Sequence, residues 1–572
     1  LRSNGAFYTY VYFACSTRDS LAAAMTVSKA AWQNTDAMTH PLQALELSEG
    51  EQQHMLYRFS AFSSEPMKED VYGMKDYKYC TMLLPDELTA YTHLPRTSEG
   101  GVFSEVNDIP HFACPSGLKG ELYLGKIINA ERWTMANGYN TPYDYRVEEA
   151  ALMHGIITGA SRSGKTVCAM RFIKELAHIK RKKTGKRLRI VCLDPKRDWR
   201  GLAKFIEPDR FRFYSLGNVN FHPIKLNPWK IPRGVTPQIW IDGIIDIYCR
   251  AYGLLERGKQ MIADVVYELY DRAGVFEACD DENWQNIVPD LSSVVCFEEI
   301  YKAMERKRDE IAASKKSGFD TMDAYSRLLD RLSTFGRKYS IERRLFGTSE
   351  GMGIDEMIGD DDVTVLESKG LENTFKNFIF GAITSGFYKF ALAHDKGYLS
   401  EDQYETVLVI EEANEVLTGS DNAGAANNGG GGQSSGMSGQ SEFEQIVDQA
   451  AGYGLFIIAI TQKISMMPSS LIANAGIKFI GRLGANQDIQ TAAIAIGKEP
   501  RYEDRDVVKW FPRAPIGWFV CQTSRGFDYK MAEPILVAVD KLNIPTPTNE
   551  DLEEILLEKH LAKLGFSGNS RI

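Results

Sequence analysis

The stretch Gly159-Ala160-Ser161-Arg162-Ser163-Gly164-Lys165-Thr166 decides the fold, because it fits the pattern G-x-x-x-x-G-K-[ST]. The residues just before it, 155–158, are short and rich in β-formers. Residues 165–178 carry apolar side chains at roughly helical intervals. The sequence therefore predicts a strand, a glycine-rich loop and a helix, in that order.

A loop of this kind holds phosphate. Its glycines let backbone N–H groups turn toward a β-phosphate, and the N-terminus of the following helix adds its positive end. Lys165 is expected to reach the β- and γ-phosphates, and the Thr166 hydroxyl to bind Mg²⁺. A chance Gly/Ser-rich turn would leave the flanking strand and helix unexplained. The predicted nucleotide-binding residues are Gly159, Ala160, Ser161, Arg162, Ser163, Gly164, Lys165, Thr166 and Val167.

Length and composition indicate a globular protein of two or three domains, because 572 residues exceed one core and 44% of them are apolar. No apolar run has the length of a membrane span, and the opening residues 1–4 suggest a start inside a longer chain. Nine cysteines without a C-x-x-C pair argue against a zinc module or a disulfide framework and favour a reducing cytoplasm. The net charge of −10 does not indicate a nucleic-acid-binding protein. It leaves DNA binding open, since a ring-shaped protein can contact DNA through a few residues in its pore while its outer surface stays acidic.

The order of β-like and helical segments predicts an α/β fold, with a parallel sheet covered by helices. A glycine-rich stretch, 419–440, is expected to be a mobile loop. The predicted parts are a mixed α+β N-terminal domain (1–125), the first part of the sheet domain (126–234), a helical insertion (235–354), the second part of the sheet domain (355–545) and a helical tail (546–572).

A second acidic motif follows the apolar strand 407–410. Glu411 and Glu412 stand directly after it. Behind a phosphate-binding loop in the same sheet, the first acid is expected to support Mg²⁺ and the second to orient the attacking water. Glu411 and Thr166 are therefore the predicted metal residues, and Glu412 and Lys165 are predicted catalytic residues.

Two further strand ends carry polar residues. Gln462 follows the apolar strand 455–460 and is predicted to sense the γ-phosphate, because ligands of open parallel sheets lie beyond the carboxyl ends of the strands. A loop amide that caps the next turn is the alternative. Asp194 and Asp198 follow the predicted strand 188–193, where they would reach the metal shell or a subunit seam, or cap a helix.

The order of these motifs resembles that of the HerA/FtsK superfamily of ring ATPases, most closely the HerA-type translocases and the ATPases of conjugative type IV secretion. The resemblance covers about 120–548, and residues 86–95 resemble a stretch that precedes the motor in secretion-type members. The motifs that carry it are Gly159–Thr166, Asp194-Pro195-Lys196-Arg197-Asp198, Asn227-Pro228, Ile410-Glu411-Glu412-Ala413, Ile460-Thr461-Gln462 and Phe479-Ile480-Gly481-Arg482-Leu483.

This resemblance implies a RecA-like P-loop NTPase domain, usually in a hexamer, that uses ATP and Mg²⁺. Such motors hydrolyse ATP between subunits and move DNA, or sometimes assist protein export, through a central pore. The function expected from this resemblance is that of an ATP-driven DNA translocase. The alternatives are a secretion ATPase that energises a membrane export channel and a nucleotide-dependent scaffold that hydrolyses ATP slowly.

Two departures from the family pattern affect the predicted chemistry. Family members commonly carry Asp where this chain has Glu411. Many HerA-type proteins also place an arginine before the sensor strand, where this chain reads 450–454 without one. Arg482 is the predicted replacement, with a structural salt bridge as its alternative role. Without such an arginine, turnover is expected to be slow or activated by a partner.

The expected partners are further copies of this chain, DNA, and membrane-associated secretion or nuclease proteins. The expected location is the cytoplasm, or the inner face of a membrane as a peripheral protein, with no transmembrane segment of its own.

Overall fold

The computed structural model describes residues 7–9, 11–32, 47–60, 68–71, 74–77, 81–83, 109–130, 139–207, 209–313, 319–357, 359, 362–395, 405–417, 442–498, 505–524, 533–542 and 546–563. The chain divides into two compact units, Leu1–Asn107 and Asp108–Ile572. The predicted glycine-rich loop 419–440 and the stretch 86–95 lie outside the described residues, as does 564–572 of the predicted tail.

The first unit mixes helices with short antiparallel strands. Strand β1 pairs with β4, and β2 with β3. Thr17 starts α1, because its hydroxyl accepts a hydrogen bond from the Ser20 N–H at 3.2 Å. The predicted α+β character of this unit is confirmed. Its described elements are β1 (Phe7–Thr9), α1 (Arg18–Trp32), α2 (Glu49–Ser60), β2 (Lys68–Val71), β3 (Met74–Tyr77) and β4 (Thr81–Leu83).

An eleven-stranded sheet organises the described part of the second unit. Its strands are β5 (Leu122–Ile128), β6 (Asn140–Val147), β7 (Gly155–Thr158), β8 (Arg189–Asp194), β9 (Phe211–Ser215), β10 (Val363–Glu367), β11 (Thr406–Glu411), β12 (Leu455–Thr461), β13 (Ile477–Ile480), β14 (Trp518–Thr523) and β15 (Ile535–Val539). Their order is β6-β5-β15-β14-β13-β7-β12-β11-β8-β10-β9. The strands from β13 to β9 run parallel, and the others are antiparallel.

The parallel strands are mostly apolar because helices cover both faces of the sheet. Along β11, Leu408 and Ile410 belong to the core on one face, whereas Val407 and Val409 belong to the core on the other. All six residues of β11 are buried. Strand β11 lies in the middle of the parallel part of the sheet, and its charged residue, Glu411, stands at its carboxyl end.

The strand order confirms the predicted RecA-like P-loop NTPase fold. Strand β12, which precedes Gln462, lies between β7, which precedes the glycine-rich loop, and β11, which ends at Glu411. Thr461 pairs with Thr158, and Ile460 pairs with Glu411. The register therefore brings the phosphate-binding loop, the two acids and the sensor candidate to one edge of the sheet.

Helices of the second unit include the predicted helical insertion, which runs between β9 and β10 as α4 to α10. The bounds are α3 (Lys165–His178), α4 (Pro237–Tyr252), α5 (Glu256–Arg272), α6 (Val275–Ala278), α7 (Trp284–Ser292), α8 (Phe297–Ala313), α9 (Phe319–Gly336), α10 (Ile341–Phe346), α11 (Asn373–Ala393), α12 (Glu442–Gln449), α13 (Ser469–Asn474), α14 (Asn486–Ala495), α15 (Arg505–Trp510) and α16 (Asn549–Lys563). The insertion packs through Trp240, Phe297 and Phe335 into the core that lies on one face of the sheet.

The helix α16 begins at a reciprocal capping pair. The Thr548 N–H donates to Asp551 Oδ2 at 2.9 Å, and the Asp551 N–H donates to Thr548 Oγ1 at 3.2 Å. Leu552 of this helix is fully buried in the core on the face that α3 also covers. The sequence-based domain limits stay predictions, although β5 spans residue 125 and pairs within the large sheet. Across the described ranges, no helix has the length and apolar character needed to cross a membrane.

Candidate nucleotide-binding site

The loop between β7 and α3 has the backbone conformation of a phosphate cradle. Gly164 has φ +97° and Arg162 has φ +59°, so the chain turns through left-handed conformations before α3 begins. A Cβ at Gly159 would lie 2.6 Å from Ser163 Oγ. Glycine is therefore required at 159 by close approach and at 164 by conformation.

Neighbouring strands hold this loop in place. The Ala160 N–H donates to the Arg482 carbonyl at 2.5 Å, and the Gly517 N–H donates to the Ser163 carbonyl at 3.0 Å. The Gly159 N–H points to the Thr461 carbonyl at 3.4 Å. The loop is thus fixed by the ends of β12 and β13 and by the turn before β14, which preorganises it for a ligand.

Lys165 folds back on the loop that it follows. Its Nζ donates to the Ala160 carbonyl at 3.0 Å, so the ammonium lies over the cradle. Burial lowers the pKa of Lys165, and the positive charge of Lys196 lowers it further, against the opposing effect of Glu412 and Glu411. An anion at this position would favour the charged ammonium.

The residues of the cradle fit a phosphate group. Ser163 is buried, and its Oγ has no hydrogen-bond partner in the described part of the chain. The N-terminus of α3, the Lys165 ammonium and this unpaired hydroxyl give the loop several hydrogen-bond donors in one place. Such a set is suited to phosphate oxygens.

Glu411 lies beside Thr166, as a pair that supports Mg²⁺ would. The Thr166 hydroxyl donates to Glu411 Oε1 at 3.3 Å, and the Trp199 indole N–H donates to Glu411 Oε2 at 2.7 Å. Burial, with the charge of Asp194 as the next cause, raises the pKa of Glu411 to about 7. A hydroxyl and a carboxylate suit Mg²⁺, which takes few protein ligands and completes its shell with phosphate and water. The metal assignments remain predictions.

The raised pKa of Glu411 predicts a pH-dependent stability cost. The folded-state pKa is about 7, above the ordinary 4.5, so the stabilising protonation is complete below about pH 4.5 and lost as the pH rises through 7. Gln does not titrate. As the pH rises through this range, the free energy of unfolding of Glu411→Gln should therefore increase by about 3 kcal/mol relative to that of the wild type. Denaturation of protein free of nucleotide and Mg²⁺, at pH 5 and pH 8, measures the difference. Glu415→Gln at an exposed position is the control, and an equal gain at both pH values would contradict the prediction.

Glu412 projects from a left-handed backbone position at the same edge, with φ +53°. Its Oε1 accepts hydrogen bonds from the Lys196 ammonium and, at 2.9 Å, from Gln462 Nε2. Burial raises its pKa, but these two hydrogen bonds and the charges of Lys196 and Lys165 outweigh burial and lower it overall. Glu412 is therefore ionised and half-buried beside the cradle, where a water-orienting carboxylate is predicted.

Asp194, the last residue of β8, has the capping role that the sequence left open. Asp194 accepts backbone N–H bonds from residues 196–199 at 2.8, 2.8, 3.3 and 3.0 Å, so it caps the 3₁₀ helix Asp198–Lys204. Burial raises the pKa of Asp194 to about 6, although these N–H groups oppose the shift. Asp198 lies in the wall of a pocket of about 170 Å³ with Thr166, Val167, Met170, Gly201, Leu542 and Thr546.

Arg482 lies next to the cradle through its backbone. Its carbonyl holds Ala160, and within the described residues its half-buried guanidinium has no ion-pair or hydrogen-bond partner. The alternative role in a structural salt bridge therefore finds no partner there. The catalytic role of Arg482 stays a prediction.

Two residues that were not predicted as site residues contact the predicted metal carboxylate, Glu411, and the predicted catalytic carboxylate, Glu412. Lys196 bonds Glu412, and Trp199 bonds Glu411. Both belong to the stretch 194–199, in which only the aspartates were considered. Their position at the carboxyl end of β8 was the available signal, because β8 pairs in parallel with β11, which ends at Glu411.

Comparisons with known proteins found solved structures of VirB4 and of the plasmid coupling protein TrwB. No protein-family model and no curated protein matches the chain. VirB4 of Thermoanaerobacter pseudethanolicus matches at 16% identity and a TM-score of 0.49, over 75% of this chain and 99% of that one. Plasmid coupling protein TrwB with the ATP analogue ADPNP matches at 13% identity and a TM-score of 0.44, over 76% and 99%. TrwB with ADP and Mg²⁺ gives 11% identity, the same coverage and a TM-score of 0.44. All three TM-scores are below 0.5, so these likenesses carry no argument about function.

Proposed function

We propose that this chain is an ATP-hydrolysing motor that forms a ring and translocates DNA. The observation that carries the hydrolase part is the arrangement at one sheet edge, where Lys165 and Thr166 face Glu411 and Glu412. These are the parts that phosphoryl transfer to water requires: a phosphate cradle, a metal-supporting carboxylate and an ionised carboxylate beside it.

The nucleotide would bind with its β-phosphate in the loop 159–166. Lys165 would leave the Ala160 carbonyl and contact the β- and γ-oxygens. Mg²⁺ would be held by Thr166, with Glu411 behind it, and would neutralise charge on the phosphates. The pocket beside Val167 lies on the continuation of the same surface and would receive the nucleoside.

Hydrolysis would use Glu412 to orient a water molecule. The water oxygen attacks the γ-phosphorus, its proton passes to the Glu412 carboxylate, and the bond to the β–γ bridging oxygen breaks to release ADP. Gln462 bonds the same carboxylate at 2.9 Å, a contact that supports its proposed role as the γ-phosphate sensor. A γ-phosphate sensor at this position would couple hydrolysis to movement.

The ring and its DNA cargo follow from the resemblance of the motif order to HerA/FtsK ATPases. In that arrangement the site lies at a subunit seam, and a neighbour supplies charge to the γ-phosphate. Residues 450–454 contain no arginine, so Arg482 is our candidate for this charge. We expect slow turnover by the isolated chain, and a location in the cytoplasm or peripherally at a membrane.

DNA coupling predicts a specific response to salt. Duplex DNA should raise ATP turnover of the purified protein several-fold at low ionic strength, and the stimulation should fade steeply between 50 and 200 mM salt because counterion release drives the binding. Steady-state ATP hydrolysis with and without DNA measures this. Glu412→Gln controls for contaminating ATPases.

Other outcomes identify the competing functions. Slow hydrolysis that DNA leaves unchanged and that rises with membrane-channel components would indicate the alternative function, a secretion ATPase that energises a membrane export channel. Tight ATP binding and assembly, with turnover indifferent to Glu412→Gln, would indicate a nucleotide-dependent scaffold.

A further inference from the structure

The segment Asp194–Arg200 connects the carboxylates at the sheet edge. Strand β8 lies between β11 and β10, so the residues after it adjoin Glu411 on one side and Glu367 on the other. Arg200, which is buried, bonds both oxygens of Glu367. The segment is therefore anchored away from the nucleotide and reaches toward it.

The conformation of the segment is set by its own first residue. Asp194 gathers the successive backbone N–H groups of 196–199, and Arg197 has φ +79°. This tight turn sends successive side chains in different directions. Lys196 is directed to Glu412, and Trp199 is directed inward to Glu411.

Each contact engages one oxygen of its carboxylate. Glu411 gives Oε2 to the Trp199 indole and turns Oε1 to the Thr166 hydroxyl. Glu412 gives Oε1 to both Lys196 and Gln462, and among the described residues no donor bonds its Oε2. In each carboxylate, the segment 194–200 therefore bonds one oxygen and leaves the other oxygen without a contact from this segment.

We propose that Trp199 and Lys196 are positioning residues of the ATPase site: Trp199 orients Glu411 toward Mg²⁺, and Lys196 orients Glu412 toward the attacking water. This inference rests on the proposed hydrolase function. Neither side chain needs to touch the nucleotide. Their effect is exerted through the two carboxylates, as residues behind metal ligands and catalytic bases commonly act.

The length of the two acids makes such support necessary. Glutamate has one more rotatable bond than aspartate, so a Glu411 carboxylate without a second contact would sample several orientations beside Thr166. The Trp199 indole removes this freedom, because it is fully buried and its N–H has one fixed direction. With one oxygen bonded by the Trp199 indole, glutamate can serve at position 411, where family members commonly carry aspartate.

Trp199→Phe tests the first contact by removing the N–H and keeping a ring. We expect the Mg²⁺ concentration that supports half-maximal binding of a fluorescent ADP analogue to rise about tenfold. Binding of the analogue in EDTA should be unchanged. Trp240→Phe is the matched control, because Trp240 is also fully buried and its indole nitrogen has no hydrogen-bond partner in the described residues.

Lys196→Met tests the second contact. Lys196 is 45% exposed, so the variant is expected to fold. We expect kcat to fall by about 10- to 100-fold at an unchanged dissociation constant for the ATP analogue, and Lys196→Arg to recover part of the loss. Lys302→Met is the matched control, since Lys302 is an ion-paired lysine that is 50% exposed and lies in α8.

Distinct results would overturn the inference. A Mg²⁺ requirement of Trp199→Phe equal to that of Trp240→Phe would remove Trp199 as a positioning residue. A Lys196→Met variant that loses nucleotide affinity as much as kcat would make Lys196 a direct phosphate ligand instead. If the wild type binds no nucleotide with or without Mg²⁺, the proposed function fails and the inference fails with it. If Trp199→Phe does not fold, Glu411→Asp, which shortens the carboxylate away from the indole, replaces it in the same Mg²⁺ titration.

Discussion

Glu412→Gln is expected to reduce ATP hydrolysis by about 10³-fold while ATP binding persists. The amide has nearly the shape of the carboxylate, so Lys196 and Gln462 keep a hydrogen-bonding oxygen to contact. It cannot accept a proton from water, however, and it lacks the negative charge that polarises the nucleophile. The change therefore acts on the chemical step alone. Steady-state turnover and the dissociation constant of a non-hydrolysable ATP analogue separate the two effects.

A neighbouring carboxylate provides the control for this prediction. Glu415 lies three residues further on, is exposed, and pairs with Lys376 at 2.8 Å on the far side of the turn. Glu415→Gln should hydrolyse ATP at nearly the wild-type rate. Turnover of Glu412→Gln above a tenth of the wild-type value would show that another group orients the water, and the assignment of Glu412 would be wrong.

Lys165→Met is expected to weaken ATP binding by about 10²-fold or more. The ammonium lies over the cradle, where it bonds the Ala160 carbonyl, and hydrogen bonds to charged groups contribute about 1.5–3 kcal/mol each. Methionine keeps the aliphatic stem, and it removes a half-buried charge whose pKa is lowered by burial, so the fold should be retained. Equilibrium titration with a fluorescent ATP analogue measures the loss.

The same helix supplies the control for Lys165. Lys174 lies on α3, beyond the loop, and its ammonium stands 5.0 Å from the centre of the Phe205 ring. Lys174→Met should bind ATP like the wild type. If Lys165→Met also binds ATP like the wild type, the loop 159–166 does not hold phosphate as proposed.

The sheet could be predicted because its strands follow a local rule. A buried parallel strand is a short apolar run, and Val407–Ile410 and Leu455–Ile460 are visible as such without tertiary information. The loop 159–166 is equally local, since glycines at its two ends mark its backbone path. These features gave the fold class, and they brought Lys165, Thr166, Glu411 and Glu412 to one edge.

The supporting contacts could not be predicted because they depend on strand order. Lys196 is 216 positions from Glu412 in sequence, and Trp199 is 212 from Glu411. Only the placement of β8 beside β11 brings them together. An exposed lysine and a buried tryptophan are common residues, and nothing in their local spacing distinguishes a supporting contact from ordinary packing.

Arg200 connects the site to the helix α16 through hydrogen bonds. Its guanidinium bonds Glu367 and also Asn549 Oδ1 at 2.8 Å, in the first turn of α16. The same short turn carries Trp199 to Glu411 and Lys196 to Glu412. In the proposed motor, loss of the γ-phosphate would change what these carboxylates contact, and the turn 194–200 would pass that change to α16. The position of α16 would then depend on whether ATP or ADP is bound.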